Sequence, residues 1–268
     1  MLRAFRPRFV DGPGLLTRAR TDSTVGTRLF PRLSRAEHAV EMLDRPAPFA
    51  DLAESLADIA RLNAIFGGRR LTVRHVARLL TGAPRDRTIT VLDVGTGAAD
   101  LPRALVRWAR RAGRRILVLA LDRDAGTVGF ARRAALSYPE IVFLQSDALA
   151  LPVRSTAIDV VISALTLHHL EPAAAARHLT EMDSAARVGF VVNDLMRSRA
   201  AYWAVRLVTR ALTRNRMSRH DGPLSVLRAY TPDEVRGLCE KAGLFGVRIH
   251  RYRLLARYCV VRTKGKSA

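Results

Sequence analysis

Between Ile89 and Val192 the chain lays down five short β-branched runs: Ile89 to Val94, Ile116 to Leu121, Ile141 to Leu144, Ile158 to Ile162 and Val188 to Val192. They are separated by stretches long enough for helices. The runs are apolar throughout rather than alternating, as strands must be when helices cover both faces of a parallel sheet. This order predicts an α/β fold with a doubly wound sheet, completed by two later runs, Val247 to His250 and Tyr258 to Arg262. A chain of 268 residues holds one such domain and an extension.

The flanks read differently. Residues 1–36 are broken by Pro7, Pro13, Gly14, Gly26 and Pro31 and carry eight arginines against two acids, which predicts an irregular, arginine-rich arm. Residues 37–84 form a helical lead-in. Leu52, Leu56, Ile59, Leu62 and Phe66 share one face of a helix from Asp51 to Phe66 that stops at Gly67-Gly68, and a second helix runs from about Thr72 to Leu80. Residues 85–268 are the main domain, with an insertion at about 195–230. Thr231-Pro232-Asp233-Glu234 then spells an N-cap, a first-position proline and a capping-box glutamate.

The formal charge of +21 ordinarily points to an anionic partner. Lysine occurs only at Lys241, Lys264 and Lys266, so arginine supplies 42 of the 45 cations, the skew of a GC-rich bacterial genome rather than a nucleic-acid module. Nucleic acid is therefore not favoured as partner. Cys239 and Cys259 form neither a disulfide framework nor a metal motif, and the basic start lacks the apolar core of a secretory signal. No apolar run is long enough to cross a bilayer, and a cytoplasmic protein is expected.

The chemistry gathers at the strand ends. The first strand runs into Gly95-Thr96-Gly97, where glycines permit a tight turn and close approach of a ligand, and then into a helix whose first N–H groups are free. Alone, this unit fits a dinucleotide, a phosphate or another nucleoside. The second strand ends at Asp122-Arg123, placed for ribose hydroxyls; the third precedes Asp147-Ala148; the fourth opens onto Ala164 and His168-His169. A dinucleotide loop would bring pyrophosphate near Asp100, an unfavourable pairing of anions.

In this order VLDVGTGAADLP, LALDRD, QSDALALP and DVVISALTLHHL resemble motifs I to IV of the class I SAM-dependent methyltransferases, over roughly Thr88 to Leu195. The resemblance implies a Rossmann-like seven-stranded sheet with an antiparallel last strand and S-adenosyl-L-methionine as cofactor. It further implies that Asp93, Gly95, Thr96 and Gly97 surround the methionine part, Asp122 and Arg123 the ribose, Asp147 and Ala148 the adenine, and that Ala164 lies near the sulfonium. Asp93 is expected to brace the turn; Ala99 replaces the third glycine of the family pattern.

Methyl transfer from a sulfonium needs alignment and exclusion of water, and a base only for a protonated acceptor. Candidate catalytic residues are His168 and His169, which otherwise pack beneath the substrate lid, and His220, which otherwise belongs to a turn at Gly222-Pro223. Arg228 and Tyr230 could hold an anionic or phenolic acceptor. Asn193-Asp194 is similar to the metal ligands of catechol-type enzymes, but in reversed order and without an acid after the fourth strand, so no metal is expected. The helix Ala200 to Arg214 joins Trp203 and Leu207 to Arg206, Arg210 and Arg214; it reads as a lid or as a peripheral membrane contact. The lead-in and the segment HDGPLSVLRAYTPDE are similar to bacterial methyltransferases of polyketide or quinone pathways. The expected reaction is thus methylation of an oxygen or carbon of a phenolic, quinone-like or polyketide small molecule of secondary metabolism. An RNA or protein methyltransferase guided by the basic arm is the alternative.

Overall fold

A computed structural model describes residues 33–265, so all but the last four residues of the expected arm lie outside the described residues. Seven strands form one sheet: β1 (Ile89–Val94), β2 (Ile116–Asp122), β3 (Ile141–Gln145), β4 (Ile158–Ala164), β5 (Ala186–Leu195), β6 (Arg248–Tyr252) and β7 (Arg257–Thr263). Their order is β3-β2-β1-β4-β5-β7-β6. The first five are parallel, and β7 runs antiparallel to both β5 and β6, so the antiparallel last strand is as expected. All seven residues of β4 are buried, Asp159 and Ser163 included, which is why apolar residues stand on both of its faces.

Helices cover both faces. On one, Val76 and Leu80 from α2 (Gly68–Leu79) and its end, with Leu105 and Ala109 of α3 (Asp100–Arg111), pack on Val91, Val118 and Ile162. On the other, Leu179 and Met182 of α5 (Pro172–Ala185) and Leu238 of α8 (Pro232–Lys241) pack on Val161, Phe190 and Val192. The sheet order reverses between β1 and β4, which pair in parallel with Val91 opposite Val160. Strand ends diverge at such a reversal and open a crevice at their carboxyl edge.

The lead-in is more tightly built than its glycines suggest. α1 (Phe49–Ile65) turns at Gly67 directly into α2, which begins four residues before the expected Thr72. The capping box of α8 is present as read, with Thr231 and Glu234 each bonded to the other's backbone N–H. α4 (Ala125–Ala134) is capped by Asp124, whose carboxylate accepts from Thr127 N–H at 2.6 Å.

The insertion after β5 departs from the reading of a turn at Gly222-Pro223. α6 (Arg199–Leu212) pairs with α7 (Arg216–Arg228), and both residues lie inside α7. Proline there forfeits one helical hydrogen bond. Packing overrides that cost: Met217, Pro223 and Val226 are buried, and a Cβ on Gly222 would stand 2.7 Å from Thr209 Cγ2 of α6. Among the described residues no helix is long and apolar enough to cross a membrane.

Candidate active site

The carboxyl ends of β1 to β5, α1 and α7 enclose a cavity of about 980 Å³. Its floor is the glycine turn. Gly95 has φ 75° and Gly97 φ 51°, and a Cβ at Gly95 would fall 2.4 Å from Thr166 Oγ1, so only glycine lets the β4 loop close on this turn. A Cβ at Gly97 would meet only Leu56 Cδ2, at 3.9 Å; the backbone there faces open cavity. Ala99, at φ 54°, adopts the left-handed conformation of the missing third glycine and caps α3.

Asp93 lies beneath the turn and accepts from Thr96 Oγ1 at 2.7 Å. Burial raises its pKa to about 7, against the opposing Thr96 bond, so it braces the turn without a cation. Asp122, at the tip of β2, accepts from Gly97 N–H at 3.0 Å and from Asp124 N–H at 3.2 Å; burial raises it as well. Asp147 accepts from Leu149 N–H at 2.9 Å, fixing the loop after β3. His178 of α5 spans from the Ala148 carbonyl, 3.1 Å, to Ser163 Oγ, 3.2 Å, and so ties this loop to β4. Burial keeps His178 toward its neutral form.

The other half is built around two imidazoles. A short 3-10 turn, Leu167–His169, follows β4 and stacks His168 against His169 with ring centres 4.3 Å apart. His168 Nδ1 lies 2.7 Å from Asp194 Oδ1 at the end of β5, and the other Asp194 oxygen accepts the His168 backbone N–H at 3.1 Å. Burial opposes ionisation of Asp194, but the adjacent His168 ring and these bonds outweigh it and hold its pKa low. His169 Nδ1 lies 2.9 Å from Asp44 Oδ2. Both Nε2 atoms face Glu41, at 3.7 and 3.8 Å. A carboxylate on each Nδ1 selects the tautomer that leaves Nε2 with a lone pair.

Glu41 is buried, accepts from Ser225 Oγ at 3.0 Å and has one oxygen with no hydrogen bond; burial raises its pKa to about 7. It stands beside a 3-10 turn, Met42–Asp44, held by Asp221 of α7, whose two oxygens accept the Met42 and Leu43 N–H groups at 2.8 and 2.9 Å. Glu41, His168 and His169 place one donor atom each within 4.8 Å of one another, a ligand set of metal-binding type. Arg228 already supplies positive charge there, with Nη1 3.7 Å from Glu41 and 3.1 Å from Asp44.

Of the residues read from the sequence, Gly95, Thr96, Gly97, Asp122, Arg123, Asp147, Ala148, Ala164, His168 and His169 line this one cavity, and Asp93 supports it from behind. Arg123 is drawn to Asp44, at 2.9 Å. His220 is not brought there: it sits on the outer side of α7, its side chain 53% exposed and paired with Asp221 at 2.7 Å. Arg228 and Tyr230 are engaged internally, Arg228 on Asp44 and the His169 carbonyl, Tyr230 on the Leu170 carbonyl at 2.7 Å. Burial pushes the Tyr230 phenol up to about 12. The sequence reading missed Glu41, Asp44 and His178. The first two lie in an irregular stretch without periodicity, and His178 reads as one more residue of an alanine-rich helix.

Residues 91–189 match a family model described as a methyltransferase domain. The chain is 46% identical over 63 residues to the 2-phytyl-1,4-naphtoquinone methyltransferase of Thermosynechococcus vestitus, a match spanning 24% of this chain and 27% of that one. Among solved structures it resembles a Methanococcus maripaludis protein assigned to the S-adenosyl-L-methionine-dependent methyltransferases, with a TM-score of 0.54, 13% identity and coverage of 84% and 97% of the two chains. It also resembles the CurJ carbon methyltransferase, with a TM-score of 0.54, 14% identity and coverage of 70% and 51%. Fold, strand order and motif set agree with a SAM-dependent methyltransferase domain, which the family model places over residues 91–189.

Proposed function

We propose that this chain transfers a methyl group from S-adenosyl-L-methionine to an oxygen or carbon of a small phenolic, quinone-like or polyketide acceptor. The observation that carries the reading is the pairing, in one cavity, of the glycine turn and Asp122 with two imidazoles, each held at Nδ1 by a carboxylate. The open backbone at Gly97 and the acids at two successive strand tips fit a nucleoside cofactor, which when bound supplies an electrophilic methyl on a sulfonium. Asp122 binds the ribose hydroxyls, Asp147 and Ala148 hold the adenine edge, and Ala164 and Thr166 border the reacting end. The volume leaves room for an acceptor beside the cofactor.

His168 is placed to take the acceptor's proton at Nε2, with Asp194 holding the ring and stabilising the imidazolium. His169, backed by Asp44, is its neighbour and second candidate. α6 and α7 act as the lid that excludes water; Val205, Gly222 and Ser225 lie on its inner side. The match to a quinone methyltransferase supports an aromatic acceptor.

The test is incubation with methyl-labelled cofactor and reduced naphthoquinones, phenolic polyketides or an extract of the host. Label is expected in a low-molecular-weight, solvent-extractable product. Label confined to RNA or protein would transfer the assignment to the macromolecular class; absence of both cofactor binding and transfer would remove it.

A further inference from the structure

From Met196 to His220, 25 residues, the chain has seven arginines and no acid. This segment spans α6 and the start of α7. Arg197 pairs with Glu234 and Arg216 with Asp51. On α6 the inward positions Ala201 and Thr209 are buried on the main body, and Val205 lines the cavity. The outward face carries large apolar groups in water: Trp203 is 63% exposed and Leu207 71%. Residues 203, 207 and 210 fall one helical turn apart, so Trp203, Leu207 and Arg210 form a single stripe, with the Arg206 guanidinium 5.7 Å from the Trp203 ring. At the amino end of α6, Tyr202 and Trp203 border a second recess with Leu33 and Leu227.

We propose that the outer face of α6 docks on an anionic lipid surface, so that the acceptor enters from the bilayer. The inference rests on the reading of a lipophilic acceptor. An apolar stripe flanked only by arginine complements a surface that is hydrocarbon within and phosphate at its boundary, where tryptophan and arginine both settle. Nucleic acid answers the charge but gives Leu207 nothing to bury against. The same helix forms the cavity wall on its inner face, so lipid contact and acceptor entry share one element.

The chain has two tryptophans, Trp108 and Trp203. In a Trp108→Phe background, Trp203 fluorescence should shift to the blue and resist aqueous quenchers on adding phosphatidylcholine vesicles containing phosphatidylglycerol, and much less with phosphatidylcholine alone. Leu207→Ser together with Trp203→Ser should weaken co-sedimentation at least ~10-fold, and Arg210→Gln with Arg214→Gln about 30-fold. Affinity for the demethylated cofactor, measured on the same variants, reports their folding; if cofactor binding fails in the parent while vesicle binding persists, the enzymatic reading falls and the surface stands. Vesicle binding that is absent, or unchanged in both double variants, overturns the proposal. So does a concentration-dependent dimer that buries Trp203 without lipid, or RNA binding that requires Trp203 and outcompetes vesicles.

Discussion

Two buried aspartates on adjacent central strands, Asp93 near the carboxyl end of β1 and Asp159 near the amino end of β4, are both essentially without solvent contact. Their electrostatics are opposite. Asp159 is clamped by Arg87, at 2.7 and 2.9 Å, and by Arg187, and also accepts the Thr90 N–H at 2.9 Å. Burial alone would raise its pKa, but these donors outweigh it and hold the group at about 2. Asp93 has one hydroxyl partner and no cation, and is raised to about 7. At the cavity edge Asp100, Asp122 and Glu41 are likewise raised by burial, whereas Asp44 and Asp194 are held low by the histidines they face. One edge of the sheet is neutralised internally. The other leaves polar capacity unspent, as a site that must receive a ligand does.

The sharpest test of that asymmetry is catalytic. His168→Asn should lower methyl transfer by roughly 10²–10⁴-fold while leaving affinity for the demethylated cofactor unchanged; single-turnover rates beside calorimetric affinities decide it, and an unaltered rate removes His168 from the chemistry. Next, Asp122→Ala should weaken cofactor binding about 10–100-fold, because it deletes the proposed ribose acceptor and strands the Gly97 N–H. Asp159→Ala should leave cofactor affinity intact but cost about 2 kcal/mol of stability in denaturant unfolding. If the two variants behaved alike, the division of the sheet into a binding and a bracing edge would be wrong.

The smallest effect is on pH dependence. Glu41 and Asp93 hold their protons in the fold to about 7, whereas their ordinary values are 4.5 and 3.8. The folded state therefore binds more protons between those limits, and these two groups make stability fall as pH rises through that window. Asp159 and Asp44, held at about 2, act the other way: their contribution is present above 3.8 and is lost as pH falls toward 2. Thermal unfolding of Asp93→Asn against pH should show a shallower decline between pH 3.8 and 7 than the parent; an identical slope would mean that Asp93 is already ionised in the fold.

The strand cores, the glycine turn and the acids at the strand tips were legible because parallel strands covered on both faces must be apolar, and because motif spacing follows strand and helix length. The capping box at Thr231 was legible because it is local. What local patterning could not reveal was non-local. Gly222-Pro223 reads as a turn until α6 packs on Gly222; His220 reads as a pocket residue until the helical phase of α7 turns Asp221 inward in its place. Glu41 and Asp44 carry no period at all, and reach His168 and His169 only because α7 pins their short turn against the β4 loop.

The sequence by itself determined the class of fold, the glycine-turn half of the cavity and the His168-His169 pair, since each depends on residues within one strand–loop–helix unit or on the order of such units. Only the tertiary structure decided which carboxylates back the imidazoles, which histidine stays outside, and that α6 turns a wall of the cavity inward and Trp203 outward. Those outcomes depend on contacts between separate segments, from His168 to Asp194, 26 residues on, to Asp44 and His169, a separation of 125. Chain spacing leaves such distances free, and the packing of the folded core fixes them.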